Sequence, residues 1–219
     1  MIRCGGPTRR CGYAVPSFLI RKESDSVLEA LPPLRLNAPD SRSRDAAVTL
    51  SVFRNPLVGV MVARSAERQR LATAFREIVR AELPNGPKVT EGGFQVIGAG
   101  PDKWLIFSPE HHGSFDALSE AVGSSVLLLD QSSGWLAAQI SGRMAPAVMR
   151  KGVQIDLHEK TFAQGDAALT ILDQFWACIW VGPGPVSTFN CLVRRSFSAA
   201  FHVWFQEASA EFGSSASYV

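Results

Sequence analysis

No apolar run in the 219-residue chain approaches the ~20 residues that a membrane-spanning helix needs, so none is expected. Cysteine is scarce, at four residues. Cys4 and Cys11 are too far apart for a C-x-x-C pair or a zinc knuckle, and no histidine follows at ligand spacing. Cys178 and Cys191 lie in apolar, strand-like runs, where buried free thiols are expected. This usage fits a reducing compartment. The stretch YAVPSFLI after Arg9-Arg10 is short, is broken by Pro16 and is followed by RKESD rather than a small-residue cleavage site. It is not read as a signal peptide, and a cytoplasmic location is expected.

Strong charge of one sign is also missing. The chain has 22 basic and 20 acidic residues, a formal net charge of +2. Residues 1–44 hold eight basic and four acidic residues, and the remainder fourteen and sixteen. The folded part is therefore slightly acidic. A nucleic-acid binder would carry a basic stripe there, and that class is excluded.

Apolar material is what the chain does have: 46% hydrophobic residues with 13 Phe and 5 Trp. That suffices for one compact domain or two small lobes. Residues 1–46 are rich in Pro, Arg and Ser, lack periodicity, and read as an arm that is disordered or orders against a partner. Period-2 strands are expected at 47–53 and 57–63, with a helix over 66–82 capped by Ser65. FQVIGA and KWLIFS follow as a hairpin, then a helix near 114–122 and a strand at 125–130. A second cycle has strands at 135–141, 166–172, 175–181 and 187–193 and a short helix at 143–150. Its last helix is opened by Ser196 and ends at Gly213. This order predicts an α+β fold of two lobes, about 47–131 and 132–213. Each is an antiparallel sheet with helices packed on one face, and 214–219 is left as a tail.

Several constellations invite chemistry. His111-His112 has no third metal ligand at usable spacing and reads as a surface loop. Gly98-Ala99-Gly100-Pro101 and Gly182-Pro183-Gly184-Pro185 join strands rather than open helices, which favours turns over phosphate cradles. Asp130-Gln131-Ser132-Ser133-Gly134 lacks a nucleophile elbow. Arg194-Arg195-Ser196 precedes a helix N-terminus and could receive an anion or a partner's carboxylates. In an extended segment Asp156 and His158 would share a face, with Leu157 toward the core and Glu159 opposite. That pair could move protons, but no third group orients it, and local bonding of a loop is favoured. No catalytic, cofactor-binding or metal-ligating residue is assigned. KWLIF, FWACIW and FHVWF supply large aromatic surface, which fits either core or interface.

Two strings resemble a known family. The first is D-x-S-x-x-x-A/L-x-x-x-I-S-G-x-x-A-x-x-V-x-x-K-G-x-x-I-D-L-H, from Asp130 to His158, continuing to Phe162 and Gly165. The second is V-x-R-S-F-S-x-x-x-x-x-W-F-x-E-A-S-x-E-F-G, from Val193 to Gly213. Gly100-Pro101-Asp102-Lys103-Trp104-Leu105 adds a Gly-Pro-x-x-Trp-Leu turn. Together they resemble the gamma subunit of heterotetrameric sarcosine oxidase over residues 47–213. The resemblance implies a ferredoxin-like or GcvT-like fold, that of the glycine cleavage system's folate-binding aminomethyltransferase. It implies alpha, beta and delta subunits as partners, in a complex that oxidatively demethylates sarcosine or a related N-methyl amine. The complex would pass the one-carbon unit to tetrahydrofolate. FAD, FMN, NAD, zinc and tetrahydrofolate would sit on the other subunits and none on this chain. A stand-alone folate-binding or aminomethyltransferase protein, and the gamma subunit of an N-methylglutamate-type dehydrogenase, are the alternatives.

Overall fold

The computed structural model describes residues 32–34, 36, 46–110, 115–183 and 187–219. Two sheets and four helices make up this part. The five-stranded sheet has the order β3-β4-β5-β2-β6, and the six-stranded sheet β11-β1-β7-β10-β9-β8. In chain order the strands of the first are β2 (Leu57–Ala63), β3 (Val89–Thr90), β4 (Gln95–Gly100), β5 (Lys103–Ser108) and β6 (Val126–Asp130). Those of the second are β1 (Val48–Val52), β7 (Trp135–Ser141), β8 (Ala167–Leu172), β9 (Phe175–Val181), β10 (Thr188–Arg194) and β11 (Ser214–Tyr218). All pairings are antiparallel except β1 with β11.

The period-2 pattern explains the layering. In β2 and β5, Leu57, Met61, Trp104 and Ile106 point to one core, shared with α1 (Arg68–Val79) and α2 (Asp116–Val122). Their neighbours Val58, Val60, Leu105 and Phe107 point the other way. There they meet Trp135, Cys178, Trp180 and Leu192 of the six-stranded sheet, and Phe107 and Trp180 pack edge to face at 5.3 Å. The opposite face of that sheet buries Leu136, Ile140, Ile179 and Val193 against α3 (Ala145–Gly152) and α4 (Ser198–Ser209). The described residues thus form four layers, helices, sheet, sheet, helices, with helices on one face of each sheet as expected.

Three expectations need correction. The strands do not separate into lobes at residue 131. β1 precedes the five-stranded sheet in the chain but pairs with β7 in the other one, because its odd and even residues match that register from Thr49↔Ser141 to Val52↔Ala138. Residues 214–218 are no tail: β11 lies parallel to β1 across five residue pairs. Within the supposed arm, Leu34 is buried in the α3/α4 core, and the Pro33 carbonyl accepts the Ser198 hydroxyl at 2.7 Å. The rest of residues 1–45 lies outside the described residues, except 32 and 36.

Helix entry also differs. Neither Ser65 nor Ser196 is the cap, since a 3-10 turn (Ser65–Glu67, Arg195–Phe197) intervenes and the α-helices start at Arg68 and Ser198. The N-cap residues Glu67 and Phe197 make no side-chain capping bond. The aromatic runs are mostly spent on the interior. Trp104, Phe107, Trp180, Phe201 and Phe205 are buried, each burial contributing roughly 1.5–3 kcal/mol. Trp176, 65% exposed, is the one aromatic side chain of these three runs that stands clear of the core.

Candidate functional site

The segment between α3 and β8 carries the most catalytic-looking residues. Leu157 and Phe162 are buried in the α3/α4 core, which turns Asp156, His158 and Glu159 out to solvent. The Asp156 carboxylate accepts the His158 amide at 2.9 Å rather than engaging the imidazole. That bond, and then the Thr161 hydroxyl, hold the Asp156 carboxyl below its ordinary value. His158 Nδ1 in turn accepts the Lys160 amide at 3.2 Å, and its carbonyl accepts the amides of Thr161 and Phe162. No acid–base dyad results. The side chains shape their own loop, as local Asx-type bonding does elsewhere.

The loop leaves through Gly165, whose φ of +89° strongly favours glycine. Its carbonyl accepts the Val89 amide, tying the loop to β3. Asp166 accepts the Ala163 amide at 2.9 Å and pairs with Lys88 from the opposite sheet. The Lys88 ammonium first, and the Ala163 amide second, keep the Asp166 carboxyl low. Beside the loop lies an open cavity of about 300 Å³, with Arg150, Glu159, Gln164 and Phe162 on its wall.

The other constellations are absorbed by structure too. Asp130 accepts both the amide and the hydroxyl of Ser132, at 2.8 and 2.6 Å, and Ser132 Oγ accepts the Val58 amide at 2.9 Å. That serine ties the end of β6 to β2. Arg194 stacks its guanidinium 4.0 Å over Trp135 and donates to the Gln131 side chain at 3.3 Å. The Gly100–Lys103 turn is locked by Asp102, whose φ is +50°, whose carbonyl accepts the Ala63 amide, and whose carboxylate pairs with Arg68 at 3.1 Å. Arg68 also covers the ring of Trp104.

Cys178 and Cys191 face opposite sides of one sheet, one in each core, and are free thiols. Burial pushes the Cys178 thiol up to about 12, and Cys191 also upward. Among the described residues no group of three or more His, Cys, Asp or Glu could hold a metal ion. Nor is any helix there long and apolar enough to cross a membrane. His111-His112 and Gly184-Pro185 lie outside the described residues.

The two sequence strings meet at the α3/α4 seam. Gly152 backs onto the Trp204 indole, Lys151 donates to the Ala208 carbonyl at 2.6 Å and pairs with Glu211, and its ammonium sits 4.8 Å from the Phe212 ring. Residues 64–211 match the model of the "Sarcosine oxidase, gamma subunit family". The chain belongs to that family. The sarcosine oxidase subunit gamma of Corynebacterium sp. (strain P-1) is 32% identical over 145 residues, covering 64% of this chain and 70% of the relative. A chain of the heterotetrameric sarcosine oxidase from Corynebacterium sp. U-96, solved in complex with pyrrole 2-carboxylate, superposes with TM-score 0.67 at 28% identity. It covers 75% of this chain and 85% of its own. The glycine cleavage system aminomethyltransferase T of Bartonella henselae superposes with TM-score 0.56 at 11% identity, covering 80% of this chain and 48% of its own. That likeness is one of fold, and the fold is GcvT-like as expected.

Sequence spacing carried no signal for the Lys88–Asp166 pair, 78 residues apart, nor for Ser132 reaching back 74 residues to Val58. Both are made by sheet packing.

Proposed function

We propose that this chain is an accessory gamma subunit, without an active site of its own, in a heterotetrameric sarcosine oxidase-type complex. The observation that carries this reading is the spending of polar groups within a member of the gamma family. Asp156, His158, Asp130, Ser132 and Arg194 each hold a turn or a strand end. A catalytic carboxylate or imidazole needs a free lone pair or proton aimed at a substrate position, and here Asp156 Oδ1 and His158 Nδ1 are taken by backbone amides and Asp130 Oδ1 by Ser132. In this reading the alpha, beta and delta subunits carry FAD, FMN, NAD, zinc and tetrahydrofolate. The complex demethylates sarcosine or a related N-methyl amine and hands the one-carbon unit to tetrahydrofolate.

Co-expression with the three other subunits tests the reading. A yellow four-chain complex is expected whose turnover per flavin, with sarcosine or N-methylglutamate, stays within about twofold when gamma carries Asp156→Asn and His158→Ala. Loss of turnover in a normally assembled complex would overturn the non-catalytic role. So would tight tetrahydrofolate binding or methylene transfer by the isolated chain, which is the outcome expected of a stand-alone aminomethyltransferase.

A further inference from the structure

Among the described residues four strands form the edges of the two sheets, and three of them are polar, very short or clasped. β11 is the polar sequence SSASY. β3 is two residues long and leans on the neighbouring sheet through the Lys88–Asp166 pairing. β8 is clasped at both ends: the Ala167 amide donates to the Pro87 carbonyl at 3.0 Å, and Val153 bridges Leu172.

β6 differs. Its sequence VLLLD has no proline, no basic residue and no bulge, and its register with β2 runs unbroken from Gly59↔Asp130 to Ala63↔Val126. Val126 and Leu128 pack toward the α1/α2 core. The opposite face presents Leu127 and Leu129, 55% and 43% exposed, beside Val62 at 36%. Among the described residues no strand pairs with the outer edge of β6. Soluble proteins blunt such edges with charge, proline or a bulge, because a flat apolar edge is a template for another strand. β6 carries one charge, Asp130 at its C-terminal end, whose carboxylate is bonded to Ser132, and Val126–Leu129 use none of these devices.

We infer that the β6 edge receives an extended segment of another subunit of the heterotetramer. That segment pairs backbone to backbone and lays alternate apolar side chains over Leu127, Leu129 and Val62. The inference rests on the assembly proposed above. Size decides between occupants. The three side chains expose on the order of 200 Å², against roughly 800 Å² per partner in a self-sufficient specific interface. A second copy docked there alone would be weakly held, whereas one added strand within a larger multi-subunit contact needs no more. An edge strand without a partner among the described residues, flanked by an apolar row, also calls for an apolar, extended protein segment rather than a charged tail.

The test uses the co-expressed four-chain complex. Leu127→Lys with Leu129→Lys places charges on the edge, and Val203→Lys, at an exposed position on α4, is the control. Wild type and Val203→Lys should co-purify with the other subunits, while the double variant, folded by circular dichroism, should be recovered at least about tenfold less. In the wild-type complex, hydrogen exchange at residues 126–130 should slow on assembly. Should the double variant not fold, the exchange result decides, and unprotected amides there overturn the inference. Equal recovery of the double variant also overturns it while leaving the assembly intact. Failure of wild type to join any complex overturns the assembly itself. A wild-type dimer that the double variant converts to monomer assigns the edge to a second copy, against the inference.

Discussion

Gly152 at the end of α3 lies flat against the indole of Trp204 in α4, so close that a β-carbon on it would come within 2.5 Å of the ring nitrogen. The contact joins the two stretches that carry the family strings. It gives Gly152 a packing reason.

Gly152→Ala is therefore expected to destabilise the chain by about 1–3 kcal/mol, although alanine is the better helix former by roughly 0.5–1 kcal/mol. Trp204 has little room to yield, because it is buried and packs on Phe201 at 5.8 Å. Denaturant titration measures the loss. Gly134→Ala, where nothing lies within 4 Å, is the control and should change stability by less than about 0.5 kcal/mol.

Trp204→Ala should cost about 3–5 kcal/mol in the isolated chain, since Trp204 is 6% exposed. Any effect on assembly then follows from folding. Trp176→Ala, on the exposed side of β9, should leave the melting temperature nearly unchanged. Equal effects of the two substitutions would contradict this division of the aromatics between core and surface.

Acid should loosen the contact between the sheets. The Lys88 ammonium holds the Asp166 carboxyl below its ordinary value of 3.8, so the native state binds fewer protons than the unfolded one near that pH. Its contribution is complete above about pH 4 and is lost as pH falls through the lowered value. Asp166→Asn should be less stable than wild type at neutral pH, and the two should converge in strong acid. A stability gap that persists unchanged down to about pH 2 would rule out the ionic pairing with Lys88 as its source.

The buried thiols should be silent in the native chain. With Cys4 and Cys11 replaced by serine, Cys178 and Cys191 should not react with a thiol reagent at pH 8 until denaturant is added, because only the thiolate attacks. Their raised values also mean that stability is present below about pH 9 and declines as pH rises toward 12. Rapid native labelling of either cysteine would place it outside the core.

Much of the candidate site was legible in advance, but not its geometry. Leu157 inward with Asp156 and His158 outward follows from alternation, and the structure keeps it; Glu159, expected on the Leu157 side, is instead exposed because the chain turns at 159–160. That Asp156 would take the His158 amide and leave the imidazole to the Lys160 amide depends on the exact path of the loop, which no spacing encodes.

The sequence alone determined where most strands and helices lie, because periods of 2 and 3.6 record which side of each local element is apolar. It also determined the family, through strings that include Gly152, Asp156 and Trp204. Only the tertiary structure decided that β1 and β11 join the second sheet, and that Trp180 is core while Trp176, four residues away in the same run, faces solvent. It alone left β6 an edge strand with no partner among the described residues. A strand's pattern specifies that a face is buried, but which strand covers it depends on contacts between residues far apart in the chain.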